Sequence, residues 1–474
     1  MTGMAILSGV NEVVFPRGAD GRRSSSEFGR AVVADALRAA DPGAADAAAA
    51  ETDWRKGYLP HFRALVAADD GYATAAAGLD SVHRRMRVQR DGEDIALDDV
   101  FALEAEPPAT FTVDGGEKAE TELLIPYGKE VLRGDSLSRQ LDTWVTAGVL
   151  EASAAEMVRE VAANPDWLDL SDHRLVVLGA GAELGPLPAV LAWGGTVVGV
   201  DLPRPALWER VALAARNGAG RLIAPGTSPA DAGIDLLSGL PETARWLLGV
   251  EGHLVLGNYV YAPGGAYPLV SAAVDALGVH VQKQRPGTGL AFLATPTDTF
   301  GVPAEVVAQA TSNYRSRSAA ARVTHAVSGG RLLKPHYPSD SDAVPAIADS
   351  LVPQQGPNYA LAKRIQRWRA SVARQSGAEV SFAVAPPTTT RSVTSNRLLA
   401  AAYAGAHLFG VEVFAPATSN RLMAALLVHQ LRNPRPAAPQ AWTDENVGAV
   451  HGGLWRVGYL PRTALGLAAV RGFF

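Results

Sequence analysis

The sequence predicts an α/β fold in which a doubly wound parallel sheet follows a mostly helical N-terminal extension. Three observations predict it. Short β-branched runs recur between helical stretches after His173, a glycine-containing turn follows the first run, and an acidic residue ends the second. The chain has 474 residues, with 43 Lys+Arg against 48 Asp+Glu and no cysteine. That length predicts two or three domains and ample apolar material for a core. The absence of cysteine excludes disulfides, thiolate metal sites and a cysteine nucleophile. The slightly acidic balance, without a Lys/Arg block, predicts no nucleic-acid partner and no anionic-membrane partner.

Taken in order, residues 25–40 read as a helix, and residues 44–66 hold an alanine run followed by aromatic and basic residues within a mostly helical region. Residues 86–91 alternate and meet Gly92, which suggests a short hairpin. Asp135 or Ser136 is placed to cap a helix through Thr146, with Gly148 as its stop. Ser153 and Glu156 have capping-box spacing for a helix reaching Ala163, and Asn164-Pro165 breaks it. Residues 1–165 therefore form a helical region, expected to close over a substrate or to build an oligomer interface. Residues 1–15 lack a basic leader segment, and no run of about 18 apolar residues occurs, so a soluble, cytoplasmic protein is expected.

From 166 to 434 the texture is α/β. Strands are expected at 174–178, 197–200, 222–223, 254–256, 290–293, 380–384 and 411–414, with helices at 206–216 and 303–323 among others. A proline-rich linker after Asn433 leads to a tail, 435–474, expected to pack on the core or at an oligomer interface.

Gly179-Ala-Gly181-Ala-Glu183-Leu-Gly185 follows a predicted strand and is expected to open a helix. A helix start offers free N–H groups to a pyrophosphate, and glycines permit close approach. Asp201 ends the next strand about 20 residues on, where a carboxylate can accept bonds from a ribose. Nicotinamide dinucleotides and S-adenosylmethionine both suit this arrangement. Tyr359 and Lys363 are one helical turn apart on one face, and an ammonium beside a phenol lowers its pKa. The chain has 43 Lys+Arg, of which only six are lysine, so a lysine at that spacing stands out.

With these pieces in this order, residues from about 170 to 434 resemble the short-chain dehydrogenase/reductase family, whose domain is a Rossmann-like doubly wound sheet. The resemblance implies an NAD(P)-dependent oxidoreductase that moves a hydride between the nicotinamide and a carbonyl or alcohol carbon of a small molecule. It implies that Gly179, Gly181, Gly185, Asp201, Asn258, Pro386, Thr388 and Thr390 bind the cofactor. Asp201 favours NAD, while Arg204 leaves room for the 2′-phosphate of NADP. Tyr359 would be the acid/base, Lys363 would hold the ribose and depress the tyrosine pKa, and Thr295 or Thr297 would orient the substrate oxygen. A homo-oligomer is compatible with the family.

Three features depart from the pattern. Glu183 replaces the middle glycine, Pro387 stands where glycine is usual, and the strand ending at Thr295 lies far upstream of Tyr359, where a serine is expected much closer. Ser350 is a second source for that hydroxyl. Two other readings stand beside the first. One is an adenosylmethionine-dependent methyltransferase using Gly179, Gly181 and Asp201. The other is a non-catalytic Rossmann-like scaffold that binds nucleotide. The ten histidines form no local ligand spacing, so no metal site is expected. The basic stretch from Asn313 to Lys334 reads as a solvated face, with an acidic substrate group as its other use. Ser395 and Ser419 are expected near helix caps.

Overall fold

Six of the apolar runs form consecutive parallel strands of one sheet in a computed structural model that describes residues 11–338 and 344–473. Numbered within that sheet, the strands are β1 (Thr110–Asp114), β2 (His173–Leu178), β3 (Thr196–Val200), β4 (Arg221–Pro225), β5 (His253–Asn258), β6 (Gly289–Ala294) and β7 (Val380–Val384). Their spatial order is β7-β6-β5-β2-β3-β4-β1, with β1 antiparallel at the edge. Counted from β2, the parallel strands run 3-2-1-4-5-6, winding outward in both directions from the β2–β5 pair.

The strands are apolar on both faces because helices cover both. Val176, Leu178, Leu256, Phe292 and Phe382 join one buried cluster, which also takes in Val32 and Val33 of the helix Ser25–Leu37 and Leu361 and Ile365 of the helix Gly356–Gln375. The alternate residues Leu175, Val177, Val255 and Ala291 join a second cluster with Leu426 and Leu427 of the helix Pro416–Arg432. Period-2 alternation thus sorts each strand between two helical layers.

The N-terminal extension is built into this core. Besides its helices it supplies β1, paired with β4 from Thr110↔Pro225 to Asp114↔Arg221. The expected hairpin forms between Arg87–Arg90 and Glu93–Ala96, with Asp91 and Gly92 both at positive φ. The Ala run and the aromatic and basic segment over 44–66 form two helices, Pro42–Ala50 and Trp54–Ala67, separated by the polar Glu51–Asp53. The stretch 303–323 is likewise split into Ala304–Arg315 and Ala319–Val327, with Ser318 capping the second.

Residues 411–414 are not a strand. Phe414 makes only an isolated bridge to Thr388, and the helix at Pro416 begins too soon for a ladder. Asn396, not Ser395, caps the helix Arg397–Ala404, and Ser419 is buried inside Pro416–Arg432. The Ser153–Glu156 capping box does not form. Glu151 holds the cap position, and Ser153 accepts a bond from the Gly448 N–H. The tail packs on the core, where the Val450 N–H extends the edge of β7 by donating to the Val384 carbonyl at 2.9 Å. Among the described residues, no helix is long and apolar enough to cross a membrane. Of the leader expectation for residues 1–15, residues 1–10 lie outside the described ones.

A buried ion cluster joins the helix Gly356–Gln375 to the segment after β6. Asp298, 1% exposed, meets Arg364 at 2.9 Å and Arg367 at 2.6 Å, and Arg367 also binds Glu445 at 2.6 Å. Burial opposes the Asp298 charge, yet the two guanidiniums hold its carboxyl below its ordinary value of 3.8. Truncating one partner of such a cluster leaves unpaired buried charge, at a cost of about 3–5 kcal/mol. Asp298→Ala is therefore expected to lower unfolding free energy by that amount in urea. A lowered folded pKa means this stabilisation is present above pH 3.8 and lost as the pH falls below it. The gap between wild type and Asp298→Asn should then shrink on acidification. A gap constant down to pH 3 would contradict the assignment.

Candidate functional site at the C-terminal edge of the sheet

The C-terminal ends of β2, β3, β5, β6 and β7 share one edge, and the winding reverses between β2 and β5. In open α/β sheets a crevice forms at such a reversal. Gly179 leaves β2 at φ +93, and a Cβ there would lie 2.8 Å from the Tyr259 carbonyl oxygen. The residue must be glycine both for its backbone angle and for this crossing.

The turn is closed by the protein itself. Asp201 accepts the Gly181 N–H at 2.8 Å on one carboxylate oxygen and the Leu202 N–H at 2.7 Å on the other. Burial nevertheless raises its pKa, against these bonds and against Arg204 and Arg210. The expected helix does not open at the turn. Pro186 precedes a helix of six residues, Leu187–Ala192, so the glycines are followed by turns. Glu183 accepts the Arg391 N–H at 2.7 Å and lies 3.3 Å from its guanidinium. Asn420 donates to the Gly185 carbonyl.

On the other side of the reversal, Asn258 ends β5, and its side-chain oxygen accepts from Gln366 at 3.4 Å. Gln366 in turn accepts from the Lys363 ammonium at 3.1 Å, and Lys363 donates to the Leu293 carbonyl at 3.1 Å. Burial pushes Lys363 down to about 8, with Asp298 opposing. The spacing had implied that Lys363 depresses the Tyr359 pKa. Instead the ammonium is bound to β6 and Gln366, it makes no hydrogen bond to Tyr359, and burial pushes the phenol pKa up.

Tyr359 and Thr295 are brought together despite the intervening chain. Thr295 lies against the phenol and counteracts part of the burial effect. Its Oγ1 is 2.9 Å from Thr297 Oγ1, which accepts from Gln355 at 2.5 Å. The Gln355 side-chain oxygen is buried with no partner among the described protein atoms. The Tyr359 ring packs against Tyr267 at 5.5 Å between centroids, the two rings tilted by 60°. Ser350 is fully buried and directed to the Leu454 carbonyl, so it is not the hydroxyl beside Tyr359.

After β7, Thr388 is buried and its hydroxyl is engaged by the Pro386 carbonyl at 2.9 Å and Ser419 at 2.6 Å. Thr390 stands at the N-cap of the helical turn Arg391–Thr394 and contacts Ser392 at 2.9 Å. Pro386 and Thr388 are buried, and Thr390 is partly open. The basic stretch is largely the expected solvated face, with Arg315, Arg322, Arg331 and Lys334 exposed, while Arg317 lies over the Tyr314 ring at 3.8 Å and Arg322 donates to the Arg317 carbonyl. Gln355, Gln366 and Asp298 escaped the sequence reading. The amides belong to no motif, and Asp298 follows Thr295-Pro-Thr297 without any local mark of its two arginine partners.

Neither the protein-family models nor the curated proteins contain a match to this chain. The site is therefore defined by its own geometry.

Asp201→Ala removes the acceptor of two backbone N–H groups, each worth about 1–3 kcal/mol if left buried and unpaired. The variant is expected to unfold at clearly lower urea concentration than wild type. Unchanged stability would mean that the carboxylate does not anchor the turn.

Proposed function

We propose that the chain is a divergent oxidoreductase of the short-chain dehydrogenase/reductase type, acting on a carbonyl or alcohol substrate at this edge. The observation that carries the reading is the pairing of Tyr359 with Thr295 at the C-terminal ends of strands wound 3-2-1-4-5-6. That order is the one associated with Rossmann-like dinucleotide domains. The unpartnered Gln355 oxygen beside Thr297 adds a buried acceptor suited to a ligand hydroxyl.

An NAD or NADP cofactor fits this crevice only in part. Asp201 and Asn258 suit an adenosine, since a carboxylate with two backbone bonds keeps further acceptor capacity. The diphosphate does not fit. The Gly181 N–H is taken, no helix opens at the turn, and the Glu183 carboxylate stands beside it. Thr388 likewise has its hydroxyl occupied.

The side chains themselves can handle one proton. A phenol whose pKa is raised stays protonated and donates, so Tyr359 favours hydrogen-bond and proton donation to a carbonyl oxygen, the reductive direction. Thr295 and Thr297 orient that oxygen. Lys363 braces the helix against β6.

A second reading is favoured by one observation. Two carboxylates, Asp201 and Glu183, flank a turn without a phosphate cradle, which suits the cationic, diphosphate-free adenosylmethionine better than a dinucleotide.

Titration with NADH, NADPH and S-adenosylmethionine, followed by calorimetry, separates the two. The first reading expects a dinucleotide to bind and Glu183→Ala to tighten it about tenfold, or 1.4 kcal/mol. Adenosylmethionine binding without either dinucleotide would replace it by the second. With NADH and a panel of aldehydes and ketones, Tyr359→Phe is expected to lose turnover with the dinucleotide Kd unchanged. Full turnover in that variant would remove Tyr359 from the chemistry.

A further inference from the structure

The opposite, N-terminal edge of the same sheet carries an unrelated constellation. His173 opens β2 and His253 opens β5, and the two are direct partners in the parallel ladder. Glu379 immediately precedes β7 and reaches them across β6. That reach depends on Gly289, where a Cβ would lie 2.6 Å from the Glu379 carboxylate. The result is a convergence of two imidazoles and one carboxylate from three separate strands. His253 Nε2 is 2.7 Å from one Glu379 oxygen, and His173 Nε2 is 3.9 Å from the other. One donor atom from each residue lies within 4.8 Å of the others.

The geometry points to a binding site for a divalent transition metal of the Zn2+ type, held by His173, His253 and Glu379 with one coordination position open. Bonds of about 2.0–2.1 Å in a tetrahedron place ligand atoms about 3.3 Å apart. The separations from Glu379, 2.7 and 3.9 Å, lie on either side of that value, so side-chain rotation alone would seat an ion. Two imidazoles and a carboxylate suit Zn2+ and its first-row neighbours, and do not suit Ca2+ or Mg2+, which take oxygen.

Two independent features support a metal over a plain ion pair. His173 Nδ1 is 2.7 Å from Asp172, whose carboxylate is clamped by Arg432 at 2.6 and 3.0 Å. A carboxylate that accepts the hydrogen bond from Nδ1–H fixes the tautomer and leaves the Nε2 lone pair facing the cluster, the outer support common to metal-bound histidines. His253 and Glu379 also line a solvent-open depression together with Gln282, Thr288 and Ser376. The open position therefore faces space for a water or a small ligand. No local histidine spacing announces the site, because His253 and Glu379 alone are 126 residues apart in the chain.

The test is a Zn2+ titration of untagged full-length protein by calorimetry, with Co2+ absorption as a second probe. One equivalent is expected to bind in the micromolar range or tighter, with the visible bands of four- or five-coordinate Co2+. His253→Ala removes a half-exposed ligand and Glu379→Gln a charge, and each is expected to weaken Zn2+ at least tenfold while circular dichroism stays native. Asp172→Asn, which touches no metal, is expected to weaken it about tenfold through His173. No binding to the wild type overturns the proposal, and so does binding of equal affinity and stoichiometry in natively folded His253→Ala and Glu379→Gln.

Discussion

The arrangement of the C-terminal edge of the sheet depends on one buried carboxylate. Asp298 sits just beyond Thr295 and Thr297 and grips Arg364 and Arg367, which lie on the same helix as Tyr359 and Lys363. Arg367 also packs over Phe300 at 3.9 Å, donates to the Thr299 carbonyl and reaches Glu445. A buried ion cluster contributes little net stability over an apolar core, but its geometry admits few alternatives. It fixes the height and rotation of the helix against β6, and so decides that Thr295 meets the phenol while Lys363 meets the Leu293 carbonyl.

The same sheet presents two chemically different edges. At the C-terminal ends hydroxyls, amides, a phenol, the Lys363 ammonium and the carboxylates of Asp201 and Glu183 are mostly hydrogen-bonded within the protein already. At the N-terminal ends two imidazoles meet a carboxylate beside open space. In both places a glycine permits the approach. Gly179 lets the backbone of Tyr259 cross, and Gly289 lets Glu379 pass over β6. Parallel strands make this division natural, because every strand start lies on one edge and every strand end on the other.

Much of the sheet was legible in the chain because its strands are buried on both faces and read as continuous apolar runs. Residues 174–178, 197–200 and 380–384 fall within β2, β3 and β7. The run 411–414 has a similar texture but makes only the isolated Phe414 bridge to Thr388 before the helix at Pro416 begins. β1 escaped notice because Thr110–Asp114 alternates with polar, exposed residues at every second position and lacks the continuous apolar run of the buried strands. The Tyr359–Lys363 spacing correctly indicated one helix face. It could not indicate which neighbour each side chain would choose, and the choice reverses the expected effect on the phenol.

The sequence by itself determined local matters: which stretches are apolar on both sides, where glycine is needed, and that Tyr359 and Lys363 share a face. Tertiary structure decided everything that depends on partners distant along the chain. Asp201 became the clamp of the glycine turn, Glu183 the cap of Arg391, and Thr295 the neighbour of Tyr359. His173, His253 and Glu379 became a cluster. The physical reason is that a charge or a hydrogen-bonding group has no fixed role until burial and partner are set, whereas periodicity and backbone angle are carried by a few adjacent residues.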